Sequence, residues 1–179
     1  PSEQTMLRWK EQTPKSFIFS LKFPKVITHV KMLRNCQKET RVFLQRAELL
    51  GEKLGPLLLQ FPHSFRVEDV PLLGRFLETL PKNHHYVVEV RSKELLEKNF
   101  DSMLSKNNTA LAWVDSPSLP TVAELTSNFI YVRWEGDRKK VKGILGRTEV
   151  DRETNLRLWA DKMKHFVDKP VEVFGYFSK

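Results

Sequence analysis

Six short apolar runs punctuate this chain, and each ends or nearly ends on a strongly polar side chain: Phe17–Lys22, Leu57–Gln60, Tyr86–Arg91, Ala110–Asp115, Phe129–Arg133 and Val171–Lys179. Their length and alternation predict β-strands. Between them, apolar residues recur with a 3.6-residue period that predicts helices over Glu39–Leu54, Val67–Leu80, Lys93–Lys106 and Asp151–Val167. Thr5–Gln12 reads as a helix tail or a turn, and Pro120–Ser127 as a brief connection with room for one turn of helix. Pro24, Pro62, Pro81 and Ser116-Pro117 punctuate the elements, Thr28 is placed to cap the segment after the first strand, and Gly55-Pro56 ends the first long helix. The Gly- and Lys-rich stretch Gly136–Gly146 predicts a mobile surface loop.

Strand–helix alternation favours parallel pairing, because consecutive parallel strands need a crossover that is usually a helix. The expected architecture is therefore α/β, with about six mainly parallel strands in a single domain over residues 1–179 forming a partial (β/α) barrel. Parallel strands place all their C-terminal ends on one rim, where such folds bind ligands. Period two sorts each strand into faces. In the first, Phe17, Phe19 and Leu21 face the helices, and Ile18, Ser20 and Lys22 face inward; in the third, Val88 and Val90 oppose Val87, Glu89 and Arg91.

The polar strand endings are the candidate site: Lys22, Gln60, Glu89, Arg91, Asp115 and Arg133 are expected around one cavity, with Thr28 and His29 on the loop after the first strand and so near its rim. Glu89 and Arg91 lie about 7 Å apart along one strand face. In a reduced dielectric they need partners, either as a buried ion pair that fixes register or as a carboxylate beside a cation for acid–base work. Lys22, Arg91 and Arg133 against Glu89 and Asp115 leave the pocket net positive, which suits phosphate or carboxylate ligands. His63 has a weaker claim to the rim, and His84-His85, preceding a strand, belongs to the opposite, structural end. Phe61, Trp113, Tyr131 and Trp134 at strand ends read first as core packing.

Composition narrows the classes. At 179 residues the chain is one domain, short for an eight-stranded α/β barrel of about 250 residues. Cys36 is the single cysteine, so an intrachain disulfide and a C-x-x-C site are excluded. No H-x-x-x-H or H-x-H spacing occurs, and three nearby cations oppose another, so no metal is expected; neither dinucleotide nor phosphate-loop glycine motifs appear, so no cofactor is named. No run approaches the roughly 20 apolar residues that span a bilayer, and no signal-peptide pattern is present, so the cytoplasm is the expected compartment. Thirty basic against 22 acidic residues give a charge of +8, with an excess over Arg133–Arg147. That balance permits an anionic partner without naming one.

The phrases Phe17–Pro24 (FIFSLKFP), Ile27-Thr28-His29, Gly55–Pro62 (GPLLLQFP), Val88–Arg91 (VEVR), Asp115 and Tyr131-Val132-Arg133 resemble, in order, the strand-end motifs of the YecE-like family, known as domain of unknown function 72. Leu7-Arg8-Trp9 and Thr13-Pro14 also fit. The resemblance implies a TIM-barrel fold of which six of eight strands are present, the first two preceding Pro1 and a final helix beyond Lys179. It implies rim residues at Lys22, Thr28, His29, Gln60, Glu89, Arg91, Asp115 and Arg133. Trp134-Glu135-Gly136 departs from the pattern, which often has a His before that Gly. No settled activity comes with the family. The expected function is an enzyme or vestigial enzyme, hydrolase- or isomerase-like, whose cationic mouth holds a phosphate- or carboxylate-bearing small molecule. Glu89 or Asp115 would act as base, His29 as acid or orienting group, and Lys22, Arg91 and Arg133 as anion clamps, with Thr28 and Gln60 in supporting contacts. The alternative is a nucleic-acid-binding, repair-like barrel in which the Arg133–Arg147 stretch contacts phosphates.

Overall fold

The alternating runs pair side by side. The computed structural model describes residues 1–97, 100–135, 140 and 149–177. The strands are β1 (Phe19–Lys22), β2 (Leu54–Gln60), β3 (Tyr86–Glu89), β4 (Thr109–Asp115), β5 (Phe129–Trp134) and β6 (Glu172–Phe177). They form one sheet in sequence order, parallel at every junction. The helices are α1 (Glu3–Gln12), α2 (Gln37–Glu48), α3 (Val70–Thr79), α4 (Lys93–Glu97), α5 (Asp101–Lys106) and α6 (Glu153–Lys164). Ser20 Oγ of β1 lies 3.2 Å from Tyr131 OH of β5, across three intervening strands. Contact at that separation requires the sheet to curl into a half-barrel, as the sequence pattern predicts.

Strand period two then sorts side chains between two environments. Leu58, Val87, Ala110, Ala112, Val114, Phe129 and Tyr131 form the concave interior, with Phe174 and Tyr176 against them. On the convex side Leu21, Leu57, Leu59, Val88 and Leu111 pack under Phe43, Leu44 and Ala47 of α2 and Leu73, Phe76 and Leu77 of α3. Further along, Trp113, Ile130 and Val132 hold Trp159 of α6, its ring centroid 6.3 Å from that of Trp113. β1 and β6 are the sheet's edges. Apolar side chains there are exposed: Ile18 at 39%, Val173 at 49% and Phe177 at 77%.

Several boundaries differ from the pattern. Ser2 caps a full helix, α1, with its Oγ accepting from Thr5 N, where a helix tail or a turn is expected. The helix expected over Glu39–Leu54 runs from Gln37 to Glu48. Gly51, at φ +59°, turns the chain, and Leu54 already belongs to β2. A left-handed residue suits glycine and ends helices, and apolar Leu49, Leu50 and Leu54 imitate a continuing helical stripe. The helix expected over Lys93–Lys106 is two short ones, and buried Phe100 starts the second. α6 packs through Trp159 and Met163, with Phe166 just beyond its end, whereas the apolar Leu156 and Val167 are 48% and 76% exposed. The loop expected over Gly136–Gly146 lies outside the described residues, Lys140 excepted.

The β4–β5 connection holds no helix. Its anchor is Thr126, buried beside β4, whose Oγ1 accepts from Leu111 N at 2.7 Å and donates to Thr109 O at 2.8 Å. Trp113 Nε1 donates to Glu124 O at 2.9 Å. Thr126 thus does for the β5-facing edge of β4, ahead of the point where β5 pairs with it, what a neighbouring backbone does elsewhere. Thr126→Val keeps the shape and strands a buried N–H, so it is expected to cost about 1–3 kcal/mol in urea unfolding. A loss below a few tenths of a kcal/mol would show that the bridge contributes nothing.

Candidate functional site

β1, β2, β3 and β5 deliver their terminal inward side chains to one rim. Register sets Gln60 opposite Glu89 on neighbouring strands. Glu89 is 1% exposed, and both of its oxygens are engaged. Gln60 Nε2 donates to Oε1 at 2.6 Å, and Arg133 Nη1 donates to Oε2 at 2.6 Å. Lys22 Nζ donates to Gln60 Oε1 at 3.3 Å. Arg91 Nε stands 3.7 Å from Glu89 Oε1. Glu135, two residues beyond Arg133 and therefore on the same face, brings Oε1 to 3.0 Å from Arg133 Nη1 and 3.6 Å from Arg91 Nη2.

These contacts tie five of the six expected residues into one network. Its electrostatics are those of a crowded, partly desolvated cation set. Burial alone would lower the Arg133 guanidinium, but the attraction and hydrogen bond of Glu89, with Glu135 behind it, raise it above its ordinary value. Lys22 is held below its ordinary value, first by desolvation and then by the nearby Arg133. Among the described residues three cations face two carboxylates in this layer.

Below this layer sits a neutral polar one. Ser20 Oγ donates to Pro56 O at 2.9 Å and lies within hydrogen-bond reach of Tyr131 OH, while the Tyr131 and Tyr176 rings sit 5.0 Å apart. Burial pushes the Tyr131 phenol up to about 12. The opposite end is aromatic: His85 stacks on Phe129 at 4.7 Å and meets Phe174 edge-on. His84 pairs with Glu48. Both histidines hold the structural end, as read from the sequence.

Asp115 is a correction. Leu111 and Trp113 pack outward, and Asp115, in the same phase, leaves the concave side with them. Its Oδ2 pairs with Arg152 at the start of α6, bordering a separate polar hollow of about 320 Å3 with Asp151 and Asn155. Thr28 is not a helix cap either. It is buried inside a π-helical turn, Val26–Val30, with its Oγ1 2.8 Å from His29 Nδ1. Beyond that turn Met32, Leu33 and Asn35 adopt φ of 45°, 66° and 48°. Left-handed backbone costs of the order of 1–3 kcal/mol at a side-chain-bearing residue, and such strain and π-turns gather where a loop is held for a purpose. His29 is partly buried and lies within electrostatic range of Arg91; desolvation, then Lys25 and Arg91, lowers its pKa below 6.5. His63 Nδ1 is 3.1 Å from Arg91 O on the exposed side. Phe61 stacks on Phe65, and Trp134 on Phe177.

Glu135 was missed in the sequence, although Tyr131, Arg133 and Glu135 continue one period-two phase. The basic stretch Arg133–Arg147 falls outside the described residues except for Arg133, Trp134, Glu135 and Lys140. Among the described residues no group of three or more His, Cys, Asp or Glu is placed to hold a metal ion. Among them, too, no helix is long and apolar enough to cross a membrane.

Residues 1–179 match the family described as "Protein of unknown function DUF72", and the chain belongs to that family. Over 98 residues, 55% of its length, it is 39% identical to the UPF0759 protein YecE of Escherichia coli strain K12 and, to the same extent, to that of Escherichia coli O157:H7. The matched stretch spans 36% of those relatives' length. Its fold is similar to the crystal structure of a DUF72 family protein from Thermotoga maritima MSB8, with TM-score 0.77 and 22% identity over 99% of this chain and 73% of that one. It is also similar to one from Enterococcus faecalis V583, with TM-score 0.75 and 21% identity over 100% of this chain and 78% of that one. At that identity the structural likenesses show the fold alone.

Two measurements test this geometry. Glu89→Ala leaves Arg133 buried without its partner and is expected to cost about 3–5 kcal/mol in denaturant unfolding, with Glu89→Ala/Arg133→Met recovering part of the loss. A single-mutant effect near zero would mean that the pair is solvated. For His29, the folded pKa lies below the unfolded one, so no penalty exists above pH 6.5 and one accumulates as pH falls from 6.5 to the lowered value. An NMR titration should place the His29 midpoint below 6.5, and Arg91→Ala should move it upward; a midpoint at or above 6.5 contradicts this environment.

Proposed function

We propose that the C-terminal mouth of this DUF72 half-barrel binds a phosphate- or carboxylate-bearing small molecule, with Arg91 and Lys22 as the groups that receive its charge. The observation that carries this reading is the unequal commitment of three gathered cations. Arg133 is spent on Glu89 at 2.6 Å and is nearly buried. Arg91 reaches its carboxylates only at 3.6 and 3.7 Å, and its side chain is 33% exposed. Lys22 is exposed as a residue, and among the described residues its ammonium donates to an amide oxygen at 3.3 Å and pairs with no carboxylate. A guanidinium whose ion pairs are this long retains N–H directions for a bidentate anion. An arriving anion also offsets the repulsion from Arg133 that, after desolvation, depresses Lys22.

Glu89 then serves as the fixed negative charge around which the clamp is built. Both of its oxygens already accept hydrogen bonds, from Gln60 and Arg133, so neither is directed at a ligand's proton. His29 is the group suited to proton transfer, its pKa lowered by desolvation and then by Lys25 and Arg91, and its Nδ1 within hydrogen-bond reach of the Thr28 hydroxyl. Turnover of the bound anion, whether hydrolytic or isomerising, rests on that imidazole. Asp115 takes no part.

A thermal-shift titration tests the reading with inorganic phosphate, sulfate, small dicarboxylates and duplex oligonucleotides, on the wild type and Arg91→Ala. Phosphate or a carboxylate is expected to raise Tm with concentration, through a stability gain of RT ln(1 + [L]/Kd), about 2.7 kcal/mol at a hundredfold excess over Kd. Arg91→Ala should abolish most of that response. Absence of any anion response, or an equal one in Arg91→Ala, overturns the clamp. Stabilisation by oligonucleotides alone, with a log–log salt slope of about −0.9 per phosphate contact, would favour a nucleic-acid surface instead.

A further inference from the structure

Glu135 Oε1 is buried, yet among the described residues it accepts no hydrogen bond. Two guanidinium nitrogens stand near it, Arg133 Nη1 at 3.0 Å and Arg91 Nη2 at 3.6 Å. Their charge offsets that of the carboxylate, but neither supplies a directed donor. Arg133 Nη1 is aimed at Glu89 Oε2, at 2.6 Å, and 3.6 Å is beyond a hydrogen bond. A buried acceptor without a donor is an exception that calls for a partner. The carboxylate also stands beside Arg91, the cation with most capacity left. An anion lodged on Arg91 would lie next to the negative charge of Glu135 and be repelled by it.

We propose that Glu135 Oε1 takes its hydrogen bond from the ligand, so that the mouth selects anions carrying a neighbouring hydroxyl or ammonium group over bare anions. This inference rests on the anion reading above and narrows it to a substrate class: hydroxylated phosphates and 2-hydroxy or 2-amino carboxylates. The donor converts the like-charge contact into a charge-assisted hydrogen bond, while the anionic group stays on Arg91 and Lys22. The layer beneath suits the same molecule. Ser20, Tyr131 and Tyr176 present hydroxyls, with the Tyr131 phenol held neutral by burial, so a polyol chain would meet polar groups without charge. Glu135 is thereby a specificity residue, distinct from the clamp.

Calorimetric titration with matched pairs separates the two ideas: methyl phosphate against glycerol 3-phosphate, and propionate against lactate, on the wild type, Glu135→Gln and Glu135→Met. The wild type is expected to prefer the hydroxylated partner of each pair by about tenfold, the scale of one good hydrogen bond. In Glu135→Met, of similar length but without the carboxylate, the preference should fall to about twofold or less, while methyl phosphate binds more tightly because a like charge has gone. Glu135→Gln keeps an acceptor and the fold, and should show the tighter methyl phosphate binding with part of the preference retained. Equal affinity within each pair for the wild type, or a preference unchanged in both variants, overturns the assignment while leaving the anion clamp standing. Failure of all four probes to bind the wild type overturns the clamp and this inference with it.

Discussion

A carboxylate that is 1% exposed inside a half-barrel is tolerable only if its charge is answered from within, and Glu89 is answered by Gln60 and Arg133 at 2.6 Å each. Desolvating a carboxylate and a guanidinium costs several kcal/mol per ion, and short, directed hydrogen bonds are what return it. That constraint reaches back into the fold. Gln60 and Glu89 must sit opposite in register, and Arg133 must arrive from β5, which happens only if the sheet curls. The ion pair spans 44 positions of sequence, and it joins strands that are not neighbours.

The concave face is graded along the strand direction as a result. His85, Phe129 and Phe174 fill the end where strands begin, Ser20, Tyr131 and Tyr176 form a neutral hydroxyl layer, and the charges lie at the C-terminal rim. A ligand reaching the charges from the rim meets cations first and hydroxyls beneath. The loop that carries Thr28 and His29 belongs to the same rim, and its run of left-handed residues shows that the chain is held there against local preference. Such strain persists only where surrounding contacts over-determine it; buried Ile27, Thr28 and Leu33 provide them.

Much of this was legible in the chain because the concave and convex environments impose a period of two. Ser20 and Lys22, Val87 and Glu89, and Tyr131 and Arg133 all face as their spacing implies. The same rule, applied throughout, would have removed Asp115, since it shares a phase with Leu111 and Trp113, large residues suited to the helix side, while Ala110, Ala112 and Val114 are small and suit the interior. It would also have added Glu135. Its position beyond the apolar run hid it, because the strand's last inward residue need not be apolar. Helix boundaries were harder to read. Nothing in the stripe of Leu49, Leu50 and Leu54 reveals that Gly51 adopts φ +59° and sends the chain into β2. Thr28 looked like a cap because its type suits one, whereas tertiary burial made it a brace for an imidazole.

Whether the charged layer is a structural network or a binding site turns on its balance. A network built for stability alone would pair each cation closely, as Arg133 is paired. Here the third cation is surplus: Lys22 is depressed by desolvation and by Arg133, and Arg91 stands off its carboxylates by 3.6 and 3.7 Å. At the same rim an acceptor, Glu135 Oε1, is left without a donor among the described residues. Each imperfection is unfavourable by itself, and the two are complementary. One lacks negative charge and the other lacks a hydrogen-bond donor, within a few ångströms of each other. A single small molecule bearing both groups would correct them together, and among the described residues Arg133 cannot turn to Glu135 without abandoning the buried Glu89.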